Sequence, residues 1–378
     1  MSRRVWIAVD TIGYPQGGGH LWAYLNWALG LRQVGCQVVW LETVNAHRPL
    51  TELTEMVSGL QSRLEPYGLA QQIALCSTST ESLPEPLAKA TIDLDTSSDA
   101  DLLLSLRYST PRQVVRRFRR SALIDIDPGL SQMWIALGQI EVAPYDVYFS
   151  IGETVGHPQA RFPDVGIEWH YTPPCVALEW WPVVKQAAEG ACFTTISHWG
   201  GDDWLEEEQG LYNNSKREGF LPFLDLPRRV QVPLELALCL SEEEREERVS
   251  LQVRGWQIRD ASTVAGTPQA YQRYIGGSLG EWSCAKPSCL RLQNAWVSDR
   301  SLCYLASGKP VVVQDTGPSR VLPNGEGMFR FSNLDEAVRS LEAVERDYVR
   351  HSQAARQLAE AVFDAKLIVS RLLERALA

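Results

Sequence analysis

The sequence predicts an α/β chain built in two halves, each around a parallel sheet. Three observations predict it. The first is a βαβ unit at the start. Residues 5–9 form a short apolar, β-rich run. A loop with Gly13, Gly17, Gly18 and Gly19 follows, and residues 21–34 then repeat apolar side chains at helical spacing. Gly35 closes that helix and residues 36–41 read as the next strand. Such units are right-handed and bring their strands parallel. The second is recurrence. Residues 101–106, 122–126 and 147–151 are strand-like, with a helix-like stretch at 112–120, and the series restarts at 192–196. The third lies near the C-terminus. Apolar residues 302–306 read as a helix stopped by Gly308 and Pro310. Strand 311–313 follows, with Asp315-Thr316-Gly317 at its carboxyl end.

The remaining elements follow from the same patterns. Further strands are expected at 230–232, 235–238 and 249–253, a solvated acidic helix at 242–247, and helix through most of 334–378. Pro173, Pro174, Trp180, Trp181 and Pro182 make a rigid aromatic passage that reads as an interdomain connection. The expected domains are 1–182, 183–350 and a C-terminal helix, 351–378, crossing back to the first. Trp199 and Trp204 join Trp180 and Trp181 near the junction, as core packing or as faces for a base or sugar.

Bulk composition excludes several classes. At 378 residues, 45% apolar and 22% charged, the chain folds and has room for two domains. A net charge of −10 argues against nucleic acid as a partner. The one basic cluster, residues 112–120 with five arginines, reads as a solvated helix face. No apolar run approaches the ~20 residues of a membrane span. Residues 5–9 are too short for a signal-peptide core, so a cytoplasmic location is expected. The eight cysteines include no CxxC pair, and no metal-ligand cluster stands out.

Several residues carry candidate chemistry. Ser298-Asp299-Arg300-Ser301 opens a helix whose free N–H groups, beside the Arg300 fork, suit a diphosphate. Ser298 and Ser301 cap the helix or donate to phosphate. Asp315, Thr316 and Gly317 sit where open α/β sheets bind ligands. In the first half, Gly17-Gly18-Gly19-His20 allows close backbone approach and positive φ, but Trp22 breaks the GxGxxG fingerprint of nicotinamide-binding proteins. His20 is either a general base or a residue that helps cap the turn. Asp125 and Asp127 would share one face of a strand. Asp127 is equally an acceptor base or part of an Asp-Pro-Gly turn, and Asp125 is better read as part of the turn.

The motif Ser298-Asp-Arg-Ser301, Tyr304-Leu-Ala-Ser-Gly-Lys-Pro310, Gln314-Asp-Thr-Gly317 and Leu322-Pro-Asn-Gly-Glu-Gly327 resembles bacterial glycosyltransferases of the GT-B fold. Upstream, Asp125 to Gly129, Ile151-Gly-Glu153, Tyr171-Thr-Pro-Pro174 and Phe193-Thr-Thr195 extend the resemblance over most of the chain. It implies two facing Rossmann-like domains with a cleft between them, an acceptor on the first and a nucleotide-diphosphate sugar on the second. UDP is the first expectation, with GDP or TDP as alternatives; no permanently bound cofactor or metal is implied. It places Gly17–Gly19 and Glu153 on the acceptor side, and Lys216 and Lys286 near the donor phosphates. Glu326 would hold ribose hydroxyls or merely form a turn. One departure stands out. Many such enzymes carry an E-x7-E donor motif, whereas this chain has Asp299 and then Ser307. A nucleotide-sugar-binding protein without turnover, or an epimerase on the same fold, are therefore the alternatives. On this reading Arg300→Ala weakens donor binding and leaves the fold intact.

Overall fold

The computed structural model describes residues 2–78, 82–184, 190–200, 204–207, 210–241 and 244–378. Two units divide it. The first holds residues 1–158, 162–177 and 364–378, and the second holds 159–161 and 178–363. The sequence suggested divisions at 182 and 350. The later return has a packing reason. Helix Tyr348–Leu358 packs on helix Asp299–Ala306 of the second unit, whereas helix Ala365–Ala376 packs on helix Gly18–Gln33 of the first.

The first unit is a seven-stranded parallel sheet. Its strands are β1 (Arg4–Ala8), β2 (Gln37–Val44), β3 (Ile73–Ser77), β4 (Leu102–Ser105), β5 (Ser121–Asp125), β6 (Val147–Ser150) and β7 (Trp169–Tyr171), ordered β3-β2-β1-β4-β5-β6-β7. Its central strands are buried on both faces, as parallel sheets require. Trp6, Trp22, Trp27 and Trp40 are among its fully buried side chains. The arginine cluster is only partly helical: the helix spans Arg112–Val115. Arg112 pairs with Glu141, Arg117 with Asp95, and Arg120 donates to the Ala376 carbonyl.

The second unit begins with β8 (Phe193–His198). An antiparallel hairpin follows, β9 (Trp204–Glu207) and β10 (Gly210–Asn213), and then β11 (Leu234–Cys239), β12 (Gln257–Asp260), β13 (Gly280–Ser283), β14 (Val311–Gln314) and β15 (Met328–Phe331). The parallel sheet is ordered β12-β11-β8-β13-β14-β15. This is the doubly wound order, with its switch point between β8 and β13. Trp282 anchors one face, stacked on Phe331 at 5.8 Å and tilted against Trp256 at 5.2 Å. Trp181 and Trp199 are buried, packed on Tyr271 and Phe220, which favours the core reading for both. The side chain of Trp204 lies outside the described residues, as do Glu242 and Glu243 of the acidic run.

Two expected strands are absent. Residues 230–232 form no strand, and residues 249–253 belong to helix Arg245–Val253. In that helix Leu251 is buried while Val249 and Val253 are largely exposed, so the strand preference of the valines is overridden by a helix that packs through Leu251.

Among the described residues, the Lys309 ammonium is a buried cation with no partner. Lys309 is fully buried before β14, and its Nζ makes no hydrogen bond. Burial pushes its ammonium down to about 8 from 10.5. Lys309→Met keeps the volume and removes the charge, so it is expected to stabilise the protein by roughly 2–3 kcal/mol at pH 7. The unfolded chain binds more protons than the folded chain between those two values. Wild-type stability therefore rises through that window and the variant's advantage shrinks. Urea denaturation at pH 7 and pH 10 reads both; a variant less stable at pH 7 contradicts the account.

Candidate functional site

The loops at the carboxyl ends of β8, β13 and β14 carry most of the donor residues read from the sequence. Helix Lys216–Phe220 sits directly on the loop after β13. Its Gly219 allows this, since a Cβ there would fall 2.1 Å from the Ala285 carbonyl oxygen. That approach brings Lys216 Nζ to 3.3 Å from the Cys284 carbonyl and 5.4 Å from the centre of the Trp296 ring. Among the described residues no carboxylate pairs with Lys216. Burial first, then the Arg300 and Lys286 charges, push its ammonium down to about 8. Lys286 precedes helix Pro287–Leu292 and makes no side-chain cap.

Arg300 enters from the first turn of helix Asp299–Ala306. Its Nε donates to Glu281 Oε1 at 2.6 Å and its Nη1 to the Ile196 carbonyl at 2.7 Å. Glu281, on β13, is fully buried. Ser298 caps the helix by accepting from the Arg300 N–H at 3.3 Å. Asp299 opens the helix and Ser301 is buried within it.

The turn after β14 is stitched to the segment leading into that helix. Thr316 donates its hydroxyl to the Trp296 carbonyl at 2.6 Å, and the Ala295 N–H donates to the Thr316 carbonyl at 3.0 Å. Gly317 has φ +130°, and a Cβ there would lie 2.7 Å from the Gln293 carbonyl oxygen, so only glycine fits. Asp315 accepts from the Gly317 N–H at 2.9 Å and pairs with Arg330, which also donates to the Gly317 carbonyl. Its carboxylate thus shapes the turn. Gln293 and Ala295 both take left-handed φ, 52° and 55°. Such strain in non-glycine residues concentrates at binding sites.

Glu326 is not brought to this site. It precedes β15, whereas Asp315 follows β14, and the two strands are parallel, so the residues lie at opposite edges of the sheet. Glu326 is exposed and ion-paired with Arg350. Glu281, Trp296, Gly219 and Arg330 are the residues sequence reasoning gave no role. Trp296 lies two residues before the Ser298 motif, and that nearness is the signal the sequence carried for it.

The first unit gathers its candidates at the corresponding edge of its own sheet. His20 Nε2 lies 2.6 Å from the Asp10 carbonyl oxygen. A carbonyl only accepts, so Nε2 carries the proton and Nδ1 is the basic atom. Asp10 also pairs with Arg107 at 2.6 Å. The glycines differ from expectation: none of Gly17, Gly18 or Gly19 has positive φ. Gly17 is instead fixed by the Tyr14 ring, 2.2 Å from where a Cβ would be. Asp125 and Asp127 do not share a strand face, because β5 ends at Asp125. Asp125 is fully buried and accepts from Tyr108, Ser131, Gln132, Ser150 and the Asp127 N–H at 2.7–3.1 Å, a structural role. Asp127 is exposed, with its N–H held by the Tyr108 hydroxyl at 2.8 Å. Glu153 lies in the turn after β6, where its charge adds to the burial that raises Tyr171.

Among the described residues no group of His, Cys, Asp and Glu is arranged to hold a metal, and no helix is long and apolar enough to cross a membrane. No protein-family model matches the sequence, and no curated protein resembles it in sequence. Solved structures do match in fold. An alpha-glucosyltransferase in complex with UDP-glucose and DNA containing an abasic site superposes with a TM-score of 0.62 at 12% identity, covering 100% of both chains. HepE of Anabaena in complex with UDP and glucose gives 0.57 at 12% identity, covering 98% of each chain. A glycosyltransferase of Rickettsia africae ESF-5 gives 0.57 at 10% identity over 99% of this chain and 98% of that one. The chain therefore has the GT-B fold of structurally known glycosyltransferases.

Proposed function

We propose that this chain is a glycosyltransferase that draws its sugar from a nucleoside diphosphate, UDP first, bound at the carboxyl edge of the second sheet. One observation carries the reading. Lys216 is a partly buried cation with no carboxylate partner among the described residues, grouped with Arg300 and Lys286 at the switch point of a doubly wound sheet. A diphosphate supplies the counter-charge that Lys216 lacks among the described residues. The leaving nucleotide gains negative charge as the glycosidic bond breaks, and fixed cations stabilise it without a metal. The fold shared with proteins solved with UDP or UDP-glucose supports the same donor.

The acceptor is a small molecule in this reading. The net charge of −10 and the engaged arginines of residues 112–120 speak against nucleic acid. Asp127 and His20 Nδ1 are the proposed acceptor-side bases, beside the Gly17 loop and Glu153. A second reading, binding without turnover, draws on position 307. There Ser307 donates to the Cys303 carbonyl at 2.9 Å in place of the second acid of E-x7-E. Release of UDP from UDP-glucose in the presence of candidate acceptors separates the two.

The donor site predicts a pH limb. UDP affinity is expected to be level from about pH 7 to 8, then to fall by up to about tenfold per pH unit as Lys216 loses its proton. Lys216→Met should lack the limb. Calorimetric titration from pH 7 to 9.5 reads it, and wild-type affinity unchanged across that range contradicts the assignment.

A further inference from the structure

We propose that Glu281 is a positioning residue for Arg300, a buried counter-charge that aims the guanidinium at the donor diphosphate; this rests on the donor-site reading above. Four observations carry it. Glu281 lies on β13, opposite Thr194 of β8 and Val311 of β14, in the middle of the sheet. Its neighbour Trp282 fills the aromatic core, so alternation turns Glu281 to the other face. It is fully buried, with Oε1 at 2.6 Å from Arg300 Nε; among the described residues Oε2 has no hydrogen-bond partner. Arg300 is held on a second side by the Ile196 carbonyl at 2.7 Å.

Lys216, Lys286 and Arg300 are close enough for both of the other cations to disfavour the Lys216 ammonium. Without a buried anion the guanidinium would be pushed toward solvent and away from Lys216. Glu281 holds it inside, by Nε and through the sheet, while Nη2 makes no hydrogen bond among the described residues. A guanidinium held at Nε and at Nη1, on two sides, presents its Nη2 in one direction, which suits an oxyanion. A buried carboxylate with one unpartnered oxygen is costly to keep. Its pairing with Arg300 accounts for its presence where an apolar residue would pack as well.

The test is a coupling experiment with UDP as the probe, on wild type, Glu281→Gln, Glu281→Asp, Arg300→Met and Glu281→Gln with Arg300→Met. Far-UV circular dichroism checks folding of each. Glu281→Gln keeps the shape and removes the charge, and is expected to weaken UDP binding about tenfold or more. Glu281→Asp, which keeps the charge, should recover part of that loss. In the Arg300→Met background the Gln substitution should change affinity by less than about twofold, since Glu281 then has nothing to position. Wild-type affinity in Glu281→Gln, or the same loss in both backgrounds, overturns the inference. If Arg300→Met does not fold, the ranking of wild type, Asp and Gln decides alone, and Gln binding as well as Asp overturns it. A wild-type protein that binds no nucleoside diphosphate fails at the donor reading itself and takes this inference with it.

Discussion

Lys216→Met is expected to yield a protein that is more stable than wild type and has lost its nucleotide. The two effects have one cause. Lys216 is partly buried, rests on a carbonyl and an aromatic ring, and faces Arg300 and Lys286 with no carboxylate partner among the described residues. Its folded-state value of about 8, below 10.5, means that the empty fold disfavours its charge. Removing that charge should stabilise the ligand-free protein by about 1–2 kcal/mol at pH 7, after allowance for partial exposure. The unfolded chain holds the extra proton between those two values, so the gain fades as pH rises through the window. Binding moves the other way. Truncating a partly desolvated charge that meets a diphosphate should weaken UDP by about 100-fold. Urea denaturation with and without UDP reads both. A variant destabilised in the absence of UDP, or one that binds UDP as wild type does, contradicts the account.

Arg300→Ala is expected to be severe in a different way. The sequence alone suggested a loss of donor binding on an intact fold. Arg300 is instead the partner of a fully buried Glu281, so the substitution leaves a carboxylate with no counter-ion inside the second unit. Breaking one side of such a pair costs about 3–5 kcal/mol, more than most single substitutions. Loss of binding in Arg300→Ala therefore does not by itself identify a phosphate contact. Arg300→Ala combined with Glu281→Ala removes both charges and should recover much of the stability without recovering UDP. If the single variant is as stable as wild type, the ion pair is not holding the unit together.

The parts of the fold legible in sequence were those with uniform pattern. Residues 5–9 and 311–313 are apolar throughout because their strands are covered on both faces. The strands β12, β13 and β15, Gln-Ile-Arg-Asp, Gly-Glu-Trp-Ser and Met-Phe-Arg-Phe, are four residues each and interrupt apolar runs with charge. Two of those charges belong to the site: Glu281 holds Arg300, and Arg330 holds the Asp315–Gly317 turn. A residue chosen for a partner distant in sequence breaks the periodicity that would reveal its strand. The error at Glu326 has the same origin. Had Met328–Phe331 been read as a parallel strand, its preceding turn would have fallen at the edge away from Asp315. The helix start at Ser298 and the turn at Gly317 were legible because capping and positive φ are local demands. The charge environment of Lys216 is assembled from three separate loops, and only the folded chain displays it.

The most direct test of the central claim is a thermal-shift screen of the wild-type protein at pH 7.5 against UDP, GDP, TDP, ADP and CDP and their common sugars. A ligand at about 100 times its dissociation constant stabilises the folded state by roughly 2.7 kcal/mol. A clear upward shift is expected with one nucleotide family, UDP first, and its loss in Lys216→Met. No shift with any of the five families, or an equal shift in wild type and Lys216→Met, would contradict a donor site at Lys216.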